Sequence, residues 1–301
     1  MFGVTILGNN SALPAHNRHP TSQVVTLDQF QFLVDCGEGT QMRLAKYKIR
    51  RSRINHIFIS HMHGDHYFGL PGLITSMDLI GRDADLYLYA PAGIKPIIDL
   101  ILKASNTELG YRLHFYAIET EGILIENPKF SVECFQVFHR IRCWGFIFRE
   151  KKKPRKINKE ATGSYQLHAG DFERLKMGED IITESGEIVL NSKVTIANAP
   201  ANSYAYCADT VYDLSVAKKV KDVTLLYHET TYLKDLEQQA FERFHSTTVQ
   251  AANIAKKANA EKLLIGHFSS KYEELEPFLE ETREVFPATE LAIEGVTYRI
   301  I

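Results

Sequence analysis

Residues 61–66 read HMHGDH, so three imidazoles and a carboxylate fall within six positions of a chain that carries 12 histidines in 301 residues. Neutral imidazole nitrogen and carboxylate oxygen are the donors, besides thiolate, that zinc accepts, and one site takes about four of them. A single loop cannot saturate two ions, so further donors are expected from elsewhere in the chain. They stand at matching places: apolar runs that suit strands stop at His139 (after SVECFQVF), Asp209 (after SYAYCA), His228 and Glu229 (after DVTLL and Tyr227) and His267 (after KLLIG). Sheets gather their strand ends along one rim, which lets ligands far apart in sequence meet. His61, His63, Asp65, His66, His139, Asp209 and His267 make seven donors, too many for a closed structural site and enough for two ions if one carboxylate bridges. A pair of cations about 3.5–4 Å apart can activate water and neutralise charge building on phosphorus. The same donors accept manganese or iron as well as zinc.

The elements that must position these groups read as short apolar runs, among them FGVTIL, QVVTL, FQFLVD, HIFIS, DLYLY, GFIF and ELAI, in addition to those already quoted. Amphipathic helical stretches alternate with them near 70–80, 93–105, 248–258 and 275–286. Strands arrive both in hairpin-like succession and separated by helices, which predicts mixed α/β layers in a single domain spanning 1–301. Gly64 is expected to let the histidine loop turn tightly, and Gly69, Pro71 and Gly72 to shape the entry to the next helix. DCGEGTQ, residues 35–41, is too short for a phosphate-binding loop and lacks its lysine; it reads as a strand turning into a helix. Across roughly 150–190 apolar periodicity fades and charge rises, the pattern of an inserted flexible arm or, equally, of an ordinary long surface insertion.

A hydrophobic content of 45% covers a sizeable core. No apolar window approaches membrane-spanning length, and MFGVTILGNN lacks the basic start of a signal peptide, so a cytoplasmic location is expected and no membrane partner. The four cysteines, Cys36, Cys134, Cys143 and Cys207, show no CxxC spacing, which argues against a disulfide framework and a thiolate ribbon. A net charge of −2 gives no global attraction for a polyanion. Any such attraction must come from local runs, KKKPRK at 151–156 with five cations in six residues and RLAKYKIRRSR at 43–53 with six in eleven, which in a generic protein more often just solvate a surface.

The stretch SHMHGDHYFGLPGL resembles the signature of the metallo-β-lactamase superfamily, and its GLPGL continuation looks like the short-form tRNase Z (ribonuclease Z) family. GNNSALP, FLVDCGEGTQMRL, YCADT, HETT at 228–231, HST at 245–247 and GHFSSKY from Gly266 extend the likeness over essentially the whole chain. The resemblance implies a four-layered αβ/βα sandwich with metals at its rim. It implies one zinc ion on His61, His63 and His139 and a second on Asp65, His66 and His267, with Asp209 bridging. It further implies Asp65 as proton acceptor, and Glu229 with His245 as the pair that protonates the leaving 3′ oxygen. A carboxylate beside an imidazole raises its pKa and fixes its tautomer, which suits that work. The substrate would be precursor tRNA, cut after the discriminator nucleotide to leave a 3′-hydroxyl. A homodimer would present the arm of one subunit to RNA served to the other, with Lys151, Lys152, Lys153, Arg155, Lys156 and Arg18 on the RNA. The chain departs from the family at Pro14–His19, where PxKxRN becomes PAHNRH, at Ala208–Tyr212, where AxDTRP becomes ADTVY, and in an arm without the Gly/Pro-rich tip. Another hydrolase of the superfamily, acting on a small phosphodiester, sulfate ester or thioester, would keep the ligands without needing the arm.

Overall fold

The computed structural model describes residues 1–151, 154–198 and 200–301. Two seven-stranded sheets form the larger of two compact units, which comprises 1–126, 131–148 and 202–301. The first sheet contains β1 (Phe2–Gly8), β2 (Ser22–Leu27), β3 (Phe30–Cys36), β4 (Ile54–Phe58), β5 (Leu86–Ala90), β6 (Leu113–Ala117) and β14 (Thr297–Arg299). The second contains β7 (Gly122–Glu126), β8 (Phe130–Val137), β9 (Cys143–Glu150), β10 (Ser203–Cys207), β11 (Leu225–Glu229), β12 (Lys262–Gly266) and β13 (Thr289–Leu291). Strand order is β14-β1-β2-β3-β4-β5-β6 in one and β13-β12-β11-β10-β9-β8-β7 in the other.

Strands β3 to β6 run parallel, as do β10 to β13. Parallel strands are covered on both faces and so read as unbroken apolar runs. HIFIS illustrates this. Ile57 and Ile59 join a core with Leu44, Leu70, Leu73 and Ile98 from α1 (Thr40–Lys46), α3 (Leu70–Leu79) and α4 (Ile94–Ala104). Phe58, between them, turns to the other sheet and meets Phe146 and Phe148 at centroid separations of 5.3 and 5.7 Å. α6 (Thr248–Lys257) and α7 (Glu276–Val285) pack on the second sheet, which completes a helix–sheet–sheet–helix order. The four helices expected from periodicity and the turn of DCGEGTQ into α1 are all present.

The second unit comprises 127–130 and 149–201. Helix α5 (Ala169–Met177) and two short strand pairs, 156–157 with 195–196 and 181–182 with 188–189, surround a small core of Leu175, Ile181, Val189 and Val194. These apolar residues are spread so thinly along the chain that no local period betrays them. Lys152 and Lys153 lie outside the described residues.

Candidate metal centre and active site

Because β10, β11 and β12 are parallel neighbours in register, with Cys207 opposite His228 and Glu229 opposite Gly266, the residues just beyond them share one edge. Asp209, Glu229 and His267 meet there. The loop after β4 arrives from the first sheet, tied across by the Trp144 N–H, which donates to Ser60 O at 3.1 Å. It then turns through the one-turn helix α2 (Gly64–Tyr67). Gly64 serves proximity here rather than an unusual φ: a Cβ would lie 2.2 Å from the Phe68 ring, which would have to shift.

Two donor sets result. His61, His63, His139 and Asp209 offer atoms that all lie within 4.8 Å of one another, as do Asp65, His66 and His267. Asp209 divides its oxygens between them. Its Oδ2 is 3.6 Å from His61 Nε2 and 3.9 Å from His139 Nε2, while its Oδ1 is 3.5 Å from His66 Nε2 and 3.3 Å from His267 Nε2. Asp65 Oδ2 stands 3.6 Å from His66 Nε2 and 3.5 Å from His267 Nε2, and accepts from the Ala12 N–H at 2.8 Å.

The surroundings select which ring nitrogen faces inward. His139 Nδ1 donates to Phe244 O at 2.8 Å, and His66 Nδ1 donates to Asp35 Oδ2 at 2.7 Å. Thr231 gives its hydroxyl proton to Glu229 Oε2 at 2.8 Å and therefore accepts from His267 Nδ1 at 2.9 Å. Ser60 likewise donates to Asp35 Oδ2 at 2.9 Å and accepts from His61 Nδ1 at 3.0 Å. Each arrangement turns an Nε2 toward Asp209, as outer partners of metal-bound histidines do. His63 differs, with Nδ1 inward, 3.0 Å from His61 Nε2 and 3.1 Å from His139 Nε2.

These groups fit divalent cations by an independent criterion. Buried polar atoms are normally hydrogen-bonded, yet Asp209 Oδ1, His66 Nε2 and His267 Nε2 are buried and lack any such partner. Burial, joined by neighbouring imidazoles, holds His61 well below the usual histidine range and His63 down to about 4, and burial also lowers His139; the neutral, ligating form is favoured in each. Burial disfavours charge on Asp65, Asp209 and His66 too. There the mutual attraction of carboxylates and imidazoles wins, keeping Asp65 and Asp209 ionised and His66 well above its ordinary value. That negative field is what would retain a cation.

Glu229 and His245 form a separate pair. His245 Nδ1 is 3.0 Å from Glu229 Oε1, and the same oxygen accepts from Ser246 N at 2.9 Å. Burial opposes a charged imidazole, but Glu229, Asp209 and Asp65 outweigh it and raise His245 above its usual value. His245 also completes a third cluster of potential ligands with Asp209 and His267. Its Nδ1 lies 4.0 Å from Asp209 against 3.0 Å from Glu229, so the carboxylate holds it. His228, which also ends an apolar run, turns away and is satisfied by Glu229 O at 2.7 Å.

The main residue that sequence reasoning passed over is Asp35, in the DCGEGTQ turn. Fully buried, it accepts from Ser60 N at 2.7 Å, Tyr206 Oη at 2.6 Å and the His66 and Ser60 side chains. It does so with φ at 56°; Phe244 at 61° and His267 at 62° share this left-handed backbone, which costs about 1–2 kcal/mol for a residue with a Cβ. A charged residue inside the apolar run FLVDC was the available signal. Asp35→Asn keeps the shape but replaces one acceptor oxygen by a donor, so divalent-metal affinity measured by chelator competition is expected to fall by about 10–100-fold.

Two basic residues depart from the expectation that they face a polyanion. Arg18 is buried and its guanidinium serves Asn10 Oδ1 at 3.0 Å, Glu273 O at 2.8 Å and Tyr272 O, so it clamps the loop. Arg43 is likewise buried, on Glu294 and Tyr47, and drops out of the 43–53 cation run. In the smaller unit Lys156 is exposed and Arg155 Nε donates to Thr195 Oγ1 at 2.7 Å. Among the described residues no helix is long and apolar enough to cross a membrane.

Comparison with known proteins gives several likenesses. A family model described as anti-Pycsar protein Apyc1 matches residues 2–151. The ribonuclease Z of Bacteroides thetaiotaomicron is 40% identical over 99% of this chain and 95% of its own length, and that of Porphyromonas gingivalis is 38% identical over 96% and 95%. The crystal structure of the human short form of tRNase Z superposes with a TM-score of 0.72 at 26% identity, covering 99% of both chains. A metallo-β-lactamase fold protein, YhfI of Bacillus subtilis, gives 0.71 at 19% identity over 99% and 98%, a likeness of fold.

Proposed function

The chain belongs to the ribonuclease Z family, and we propose that it is a tRNA-processing endoribonuclease that uses two zinc ions to cut precursor tRNA after the discriminator nucleotide. The observation that carries this reading is Asp209, whose two oxygens face different histidine sets. His61, His63 and His139 would hold one ion and Asp65, His66 and His267 the other, with Asp209 between them. Bound there, the ions supply Lewis-acid activation of water and neutralise charge building on phosphorus.

The chain's own residues do the rest. Asp65, fixed by the Ala12 N–H, orients the attacking water and accepts its proton. Glu229 keeps His245 protonated, and His245 passes that proton to the departing ribose oxygen. The products are a 3′-hydroxyl on the tRNA and a 5′-phosphate on the trailer. Incubating purified protein with a precursor transcript and mapping the cut tests this. Turnover of bis(p-nitrophenyl) phosphate with an intact transcript would instead favour a hydrolase of small esters.

Lys151, Arg155 and Lys156, with Lys152 and Lys153, act as phosphate partners in an arm that serves as an RNA exosite. Such pairings are blind to sequence and weakened by salt. Replacing Lys151, Arg155 and Lys156 by alanine is expected to raise KM several-fold at moderate salt, leave kcat unchanged, and flatten the log–log salt dependence by about 1 for each cation removed. Steady-state kinetics over a salt series checks it. We further propose a homodimer in the cytoplasm, a setting that suits four buried, unpaired cysteines.

A further inference from the structure

The cleft of about 590 Å³ over the donor sets is lined by two aromatic rings that metal binding does not require. One stands beside the histidine loop. Phe68 is 63% exposed, its ring lies against Gly64, and its backbone is pinned: the Phe68 N–H donates to Gly64 O and the Gly69 N–H to Cys36 O, both at 2.9 Å. The other stands beside His139 and His245. The Phe244 ring is 6.3 Å from the His139 ring and 6.2 Å from that of Phe138, itself 60% exposed. Two pre-oriented rings on the cleft wall, Phe68 exposed and Phe244 half-buried, beside the ionic donor sets suit a ligand with flat faces. Every nucleobase has a π-face, and stacking on it is tolerant of sequence.

We propose that Phe68 and Phe244 determine the position of the cut by stacking on the bases of the two nucleotides that flank it. This rests on the proposed reaction, which also assigns the rings. His245 follows Phe244 in the chain and protonates the 3′ oxygen, which stays with the upstream nucleotide. Phe244 therefore takes the upstream base and Phe68 the first base of the trailer.

Abasic substitution in the transcript, crossed with protein variants, tests the assignment. On the intact precursor, Phe68→Ala and Phe244→Leu are each expected to lower kcat/KM about 10-fold, within the range of a lost base–aromatic stack, with zinc content and melting midpoint as in the wild type. An abasic first trailer nucleotide should erase the effect of Phe68→Ala and leave that of Phe244→Leu; an abasic discriminator should do the reverse. Phe68→Trp should recover the activity. Full sensitivity to Phe68→Ala on the abasic trailer, a crossed pattern, or no effect on the intact precursor overturns the inference. Because Phe244 O also holds His139, loss of zinc in Phe244→Leu leaves the Phe68 arm to decide alone. A zinc-loaded wild type that leaves the transcript uncut would instead reject the reaction itself.

Discussion

On the proposed two-zinc reading, Asp209→Ala is expected to reduce bound zinc from two ions per chain to at most one and to lower cleavage of precursor tRNA by about 10³-fold or more. The magnitude follows from the several kcal/mol of transition-state charge stabilisation that a cation pair supplies. Asp209 has no substitute among its neighbours: it is 2% exposed, and each of its oxygens faces a different set of imidazoles. Removing it leaves His61, His63 and His139 with no carboxylate to balance a cation's charge. Asp209→Asn separates shape from charge, since the amide keeps one carbonyl oxygen but turns an NH2 toward the other set. Elemental analysis alongside transcript cleavage is the check. Two retained ions with near-native turnover in Asp209→Ala would contradict the bridging role.

Replacing His245 by alanine is expected to lower kcat by about 10²–10⁴-fold, the usual worth of a positioned general acid, while the bound metal content stays as in the wild type. Retention of metal is the discriminating result, because His245 also lies within ligand range of Asp209 and His267. If zinc is lost with the imidazole, His245 is a ligand and not an acid. Glu229→Gln adds the sign. The active form of the acid is protonated, so its contribution is present at low pH and lost as pH rises through the His245 pKa. Glu229 helps raise that pKa. Its neutralisation therefore moves the alkaline limb of the kcat profile toward lower pH. A rate-limiting release of product would hide the limb, so single-turnover cleavage is the measurement to use.

What the sequence alone determined was the donor inventory and the elements behind it. HMHGDH is dense enough to read locally, and strands such as HIFIS and SYAYCA, buried on both faces, show as apolar runs that stop at His61, Asp209 and their counterparts. The tertiary structure decided what depends on distances across the chain. It set which oxygen of Asp209 meets which histidines, and which nitrogen of each ring turns inward, through partners as remote as Phe244 for His139. It made Asp35, at the end of β3, the acceptor beneath His66, and buried Arg18 and Arg43 against carboxyl and carbonyl groups over two hundred positions away. It also gathered the scattered apolar residues of 149–201 into a core. The physical reason is the same throughout. Periodicity records which face of an element is buried, whereas hydrogen-bond direction and charge pairing are fixed only when strand ends from separate parts of the chain are brought to one edge.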